Sequence, residues 1–176
     1  MSLEQWGNEN PTMKQDLKIL YQFVMRYKPQ IILEVGTGHS TLAMLKASDD
    51  LCNTAPIIIH TTDIDQHRID IFKEKMGKET YYRAYTNNKE SIKFLSEFEG
   101  FADLIFIDSS HEYIQTCKEL EAASGKLAPN GYIIMHDVIS VPNVNQAVKE
   151  FLAENKDEFK YFILKTECGL GVLQRI

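Results

Sequence analysis

Apolar positions along this chain keep two alternating rhythms. In residues 12–27, Met13, Leu17, Leu20, Val24 and Tyr27 recur four and three apart, which is one face of an amphipathic helix, and Pro29 ends it. Ile31–Val35 then reads as a strand and residues 40–47 as a helix. A second strand is expected over residues 56–62. Asp65 is the expected N-cap of the next helix, with Ile69, Phe72 and Met76 facing inward. Residues 80–84 read as a third, weaker strand, and residues 88–98 as a helix carrying Ile92, Leu95 and Phe98.

The same alternation continues. A fourth strand over 103–107 leads into a helix over 112–126 that is expected to bury Ile114, Cys117 and Leu120. Pro129-Asn130-Gly131 form a turn into a fifth strand, Ile133-Ile134-Met135. Asn143 with Gln146 resembles a capping box, opening a helix that turns Val144, Ala147, Val148, Phe151 and Leu152 inward. Residues 161–165 and 170–176 are separated only by Thr166-Glu167-Cys168-Gly169, too short for a parallel crossover, so they should pair as an antiparallel hairpin.

Strands alternating with helices predict an α/β fold, a doubly wound parallel sheet with helices on both faces and right-handed crossovers. In such sheets ligands sit beyond the carboxyl ends of the strands. That rim collects four acids: Glu34, Asp63, Asp108 and Asp137.

Composition narrows the partner. A length of 176 residues suits one domain, taken as residues 12–176 behind an N-terminal arm, 1–11, that carries Trp6. The net charge of −6, with no cluster of lysine and arginine, argues against a nucleic-acid partner and for a small molecule. No stretch is long and apolar enough to cross a membrane, no signal-peptide pattern opens the chain, and Cys52, Cys117 and Cys168 lack redox or metal spacing. A cytoplasmic protein is expected.

After the first strand comes Glu34-Val35-Gly36-Thr37-Gly38-His39-Ser40. Two glycines one residue apart allow either a plain strand-to-helix turn or close approach of a ligand to the backbone. A dinucleotide fold would place a third glycine further on, and Ser40 and Thr41 stand there instead. An acid two positions before the first glycine is a poor neighbour for a pyrophosphate and a good one for a cation. Asp63, about 25 residues after the glycines, stands where a carboxylate accepts hydrogen bonds from ribose hydroxyls. An adenosyl ligand without phosphates fits both, and S-adenosylmethionine is the candidate.

On these residues the chain resembles class I S-adenosylmethionine-dependent methyltransferases, especially small-molecule O-methyltransferases of the cephalosporin and macrolide type. The carriers are ILEVGTGHSTL (32–42), TTDID (61–65), DLIFIDSSHEY (103–113), LAPNGYIIMHDV (127–138) and GLGVLQRI (169–176). The resemblance implies a Rossmann-like seven-stranded sheet of order 3-2-1-4-5-7-6 with strand seven antiparallel. It implies that Glu34, Gly36 and Gly38 line the methionine part of the cofactor, that Asp63 holds the ribose, and that Thr86, just past strand three, lies near the adenine. Asp108 would touch the cofactor and, with His136 and Asp137, fall where metal-dependent relatives hold a divalent ion, Mg²⁺ or Mn²⁺. A homodimer is expected by analogy with related enzymes.

Successive strand residues point to opposite faces, so His136 and Asp137 can reach one ion only if the strand breaks at its end. His111, at the start of the helix after strand four, is the candidate general base or substrate contact, since the positive end of the helix favours a neutral ring. His60 is expected to be packed within its strand, and His67 to be solvated on a helix. The alternatives are a metal-independent methyltransferase of the same fold, a non-catalytic S-adenosylmethionine-binding module, a nucleotide-dependent oxidoreductase, and a base- or protein-methylating enzyme. For the last, the stretch after strand four, Asp108-Ser109-Ser110-His111, lacks the Asn/Asp-Pro-Pro-aromatic pattern of amino-methylating enzymes.

Overall fold

A computed structural model describes residues 11–51, 57–76 and 83–176. Seven strands form one sheet: β1 Ile31–Val35, β2 Ile58–Thr62, β3 Ala84–Asn87, β4 Ala102–Ile107, β5 Leu127–Met135, β6 Phe159–Leu164 and β7 Leu170–Arg175. Their order is β3-β2-β1-β4-β5-β7-β6. Pairing is parallel from β3 across to β5, while β7 runs antiparallel to both β5 and β6. The fold is the Rossmann-like one expected, and the terminal hairpin supplies its antiparallel strand.

The helices are α1 Lys14–Tyr27, α2 His39–Asp50, α3 Gln66–Met76, α4 Ser91–Glu97, α5 Tyr113–Ser124 and α6 Pro142–Glu154. Alternation along the strands sorts them into two layers. Ile32, Leu104, Phe106 and Ile134 meet α1, α2 and α3 on one face; Leu33, Val35, Ile105, Ile107, Ile133 and Met135 meet α4, α5 and α6 on the other. Within α1, Leu17, Leu20 and Val24 are fully buried, each worth about 1.5–3 kcal/mol relative to exposure. Lys28 closes α1 in the left-handed region, its N–H donating to the Val24 carbonyl, and Pro29 blocks continuation.

Several boundaries differ from the sequence reading, each for a local reason. Strand three is described over Ala84–Asn87, while residues 80–82 of the expected 80–84, with the rest of 77–82, lie outside the described residues, like 1–10 with Trp6 and 52–56 with Cys52. The helix expected from residue 88 begins at Ser91, because Glu90 accepts hydrogen bonds from the Ile92 and Lys93 amides. Asn88 instead donates to the carbonyls of Asp63 and Ile64, tying the exit of β3 to that of β2. In α5, Ile114 is exposed, and the inward face is Thr116, Glu119, Leu120 and Ala123. The capping box at Asn143 does not form. α6 opens at Pro142, Asn143 donates to the His111 carbonyl, and Gln146 pairs with Glu150. Pro129-Asn130-Gly131 lie inside β5, not before it: Ala102 pairs with Leu127 and Leu104 with Tyr132, so the intervening residues bulge out through Asn130 at φ 62.

Candidate functional site

The glycine turn is pinned from behind. Glu34 is fully buried and lines neither of the two cavities at this edge; its carboxylate accepts Ser40 Oγ–H at 2.6 Å and the Thr41 hydroxyl. The Gly38 amide donates in turn to Thr41 Oγ1, 3.0 Å away. Burial pushes the Glu34 carboxyl up to about 7, against the lowering effect of these hydroxyls, and the charge of Asp108 raises it further. The two glycines do different things. Gly36 has φ 98, and a Cβ there would strike the Asp108 carbonyl; Gly38 is extended, with open space where a side chain would start. Gly36 lets β1 and β4 close up, and Gly38 keeps the space before α2 open.

Two adjoining cavities open at this edge of the sheet. The larger, about 680 Å³, runs from Gly36 and Asp63 past Lys89, Glu90 and Ser91 to Ile114 and Glu119. The smaller, about 330 Å³, lies between Gly38, His39, Arg68 and Lys75. Gly36, Arg68 and Asp108 line both. Asp63 is held in the larger one by the Asp65 amide, which donates to its Oδ1 at 2.8 Å. Asp65 caps α3 as expected, accepting the His67 amide.

Thr86 does not stand where the sequence reading put it. It lies inside β3, opposite Thr61, and lines neither cavity, because strand three ends three residues later than its pattern suggested. Just past the end of β3, Lys89, Glu90 and Ser91 line the larger cavity. Glu119, missed in the sequence, is a buried acid on the cavity wall that accepts hydroxyls from Ser91 and Ser109, the latter at 2.6 Å. Ile64 and Ile114 are exposed at the mouth of the same cavity. His60 is packed, as expected, stacked on Tyr85 with ring centroids 5.0 Å apart, and its burial lowers its pKa. His67 is exposed.

At the ends of β4 and β5 the acids and imidazoles converge. Strand alternation puts His136 on the α1 face with Phe106 and Ile134, beside Asp108. Asp137 should then face the other way, but β5 ends at Met135 and Asp137 adopts φ 63. That left-handed residue turns its carboxylate back, so that Oδ2 stands 2.9 Å from His136 Nδ1. Asp108 Oδ1 is 3.4 Å from the same nitrogen. On the other side of Asp137, Oδ2 is 3.0 Å from His111 Nε2, and Ser140 donates to Oδ1. The far side of the His136 ring meets a residue that sequence reasoning missed: Asp16 of α1, Oδ2 3.1 Å from Nε2.

Burial disfavours charge on His136, yet the hydrogen bonds that its ring donates to Asp108, Asp137 and Asp16 prevail and push the ring up to about 12. Burial likewise opposes charge on Asp137, but His136 and Ser140 bring its carboxyl down to about 2. Even with His136 protonated, three carboxylates face one positive ring. That excess of negative charge suits a divalent cation. Atoms bound about 2.1 Å from one octahedral ion stand roughly 3 Å apart, close to the separations around Nδ1. Asp108, His136 and Asp137 each present one donor atom, all within 4.8 Å of one another. The donor set therefore fits a metal ion.

Residues 33–138, more than half of the chain, match the family described as a methyltransferase domain. Among curated proteins, none matches the sequence significantly. Solved structures do match. A methyltransferase of Podospora anserina bound to S-adenosylhomocysteine aligns with a TM-score of 0.73 at 20% identity, over 93% of this chain and 79% of that one. An O-methyltransferase of Bacillus cereus in complex with the same compound gives 0.73 at 18% identity, over 99% of this chain and 90% of that one. The O-methyltransferase TomG of Streptomyces achromogenes, involved in tomaymycin synthesis and bound to S-adenosylmethionine, gives 0.72 at 13% identity, over 92% and 80%. At these identities the likeness is one of fold.

Proposed function

This chain belongs to the methyltransferase-domain family, and from that premise we propose that it methylates a hydroxyl of a small molecule, using S-adenosylmethionine and a divalent cation. The observation that carries the reading is the position of Asp108, which lines both cavities and stands 3.4 Å from the His136 ring. One side of it offers an adenosyl site and the other a cluster able to hold an ion.

In this reading the larger cavity takes the adenosyl group. Asp63 accepts the ribose hydroxyls, and Ile64 and Ile114 cover an apolar ring at the mouth. Glu34, which lines neither cavity, acts from behind by holding the glycine turn through the Ser40 and Thr41 hydroxyls. S-adenosylmethionine supplies a methyl group on a positively charged sulfur, and its transfer to oxygen is an in-line displacement in which the acceptor proton must leave. Orientation alone can contribute roughly 7–11 kcal/mol in well-placed systems.

Asp108, His136 and Asp137 would hold the ion, which lowers the pKa of an acceptor hydroxyl and aims its oxygen. His111 donates from Nε2 to Asp137, which leaves Nδ1 as the acceptor for the departing proton. An imidazole in the ligand set moves the preference from Mg²⁺ toward Mn²⁺. A second reading is metal-independent transfer, favoured by the pairing of His136 with three carboxylates, in which the protonated ring itself occupies the cation position.

The test is calorimetric titration of S-adenosylhomocysteine into chelator-treated protein, repeated with Mn²⁺, followed by a screen of hydroxylated acceptors. Micromolar binding supports the cofactor, and turnover that requires Mn²⁺ supports the metal. Turnover unchanged by chelation selects the second reading. Absence of binding in both titrations overturns the enzymatic reading altogether.

A further inference from the structure

Behind the ring of His136, away from Asp108 and Asp137, lies a carboxylate that lines neither cavity. Asp16 sits in the first turn of α1, fully buried, 120 residues from the histidine it contacts. Its Oδ2 stands 3.1 Å from His136 Nε2, and its Oδ1 has no hydrogen-bond partner among the described residues. A buried carboxylate with one oxygen unsatisfied is costly, and the cost falls only if its remaining contact is strong. Among the described residues its side-chain hydrogen bond goes to the far nitrogen of a residue whose near nitrogen faces two further acids.

We propose, resting on the metal reading above, that Asp16 is a positioning residue for the ion: it accepts Nε2–H of His136 and keeps that proton in place, so that Nδ1, between Asp108 and Asp137, is the nitrogen that gives way to the ion. The ring cannot turn over without leaving Asp16 buried and unpaired. A carboxylate behind a ligating imidazole also makes the ring a better donor, and removing such a partner typically costs 10–100-fold in metal affinity. The fold supports the arrangement. Strand alternation delivers His136 to the α1 face, and Leu17 and Leu20, both fully buried, anchor the helix turn that carries Asp16.

One competitor shares these atoms. Asp16, His136 and Cys168 also offer three donor atoms within 4.8 Å of one another, so an ion on the opposite side of the ring would recruit the thiol. The experiment separates the two. Mn²⁺ alone is titrated by calorimetry into chelator-treated wild type, Asp16→Asn, Asp137→Asn and Cys168→Ser, with thermal unfolding in chelator to establish that each is folded. The expected result is Mn²⁺ binding by wild type, a 10–100-fold loss in Asp16→Asn, a larger loss in Asp137→Asn and none in Cys168→Ser. S-adenosylhomocysteine affinity measured without metal should be the same in Asp16→Asn as in wild type.

A folded Asp16→Asn with wild-type Mn²⁺ affinity overturns the proposal and leaves the ligand set intact. Loss in Cys168→Ser with none in Asp137→Asn overturns it by placing the ion on the other side of the ring. No Mn²⁺ binding by wild type fails the metal reading itself, and the proposal with it. A measurement on the unaltered protein stands independently of how the variants fold. Nitrogen-15 spectra of the His136 ring with Zn²⁺ bound should show Nε2 protonated and Nδ1 shifted by the metal, and the reverse assignment refutes the positioning role.

Discussion

The carbonyl oxygen of Asp108 lies 2.0 Å from the point where a side chain on Gly36 would begin. No rotamer relieves that contact, because both partners are backbone or directly attached to it, and Gly36 also holds φ 98, which other residues resist. Gly36→Ala should destabilise the protein by about 2–5 kcal/mol, combining a strained dihedral with overpacking. Gly38→Ala, with open space around it, should leave stability nearly unchanged and weaken binding of S-adenosylhomocysteine. Urea unfolding and calorimetry of the two variants check both; equal unfolding midpoints would remove the distinction.

Glu34 makes stability depend on pH. The unfolded chain releases this proton near 4.5 and the folded chain near 7, so between those values the folded state binds more protons and stability falls as pH rises. The difference of 2.5 units, at about 1.4 kcal/mol per unit, corresponds to roughly 3 kcal/mol lost between pH 4.5 and 7 and none beyond. Glu34→Gln should flatten that slope. Chemical unfolding at pH 5, 6, 7 and 8 measures it, and a slope that survives the substitution belongs to other groups.

His111→Ala should separate chemistry from binding. If His111 accepts the acceptor proton, kcat falls by about 10²–10⁴, while the affinity for S-adenosylhomocysteine and the unfolding temperature hold. Its ring is half exposed and, among the described residues, paired with Asp137, so little packing is lost with it. An unchanged kcat with a known acceptor would assign His111 to the surface.

Most of the fold was legible because apolar runs of period two and period 3.6 alternate without interruption from Leu17 to Phe151. The turn at Gly36, the acid at Asp63 and the strand ends at Asp108 and Asp137 were visible for the same reason: each follows directly on an apolar run. What stayed hidden depends on contacts distant in sequence. Ile114 falls at a helical spacing that reads as inward, yet α5 turns polar Thr116 and Glu119 toward the sheet where a cavity opens. Asp16 reads as a favourable acid in a helix's first turn, and only closure of the sheet brings His136 against it. Asp137 was expected to need a broken strand to reach its neighbour's partner, and its left-handed backbone is that break.

The place of β7 between β5 and β6 sets an order of assembly. β5 carries Ile133 to Met135 into the residues of the acid cluster, but one of its two edges has no partner until residues 170–175 have been synthesised. Up to that point a growing chain presents an apolar edge strand, the feature most prone to pairing with another molecule. β4 and β5 pair with each other directly, and the hairpin closes only the outer edge of β5. Protection of that edge therefore depends on the hairpin that carries β7.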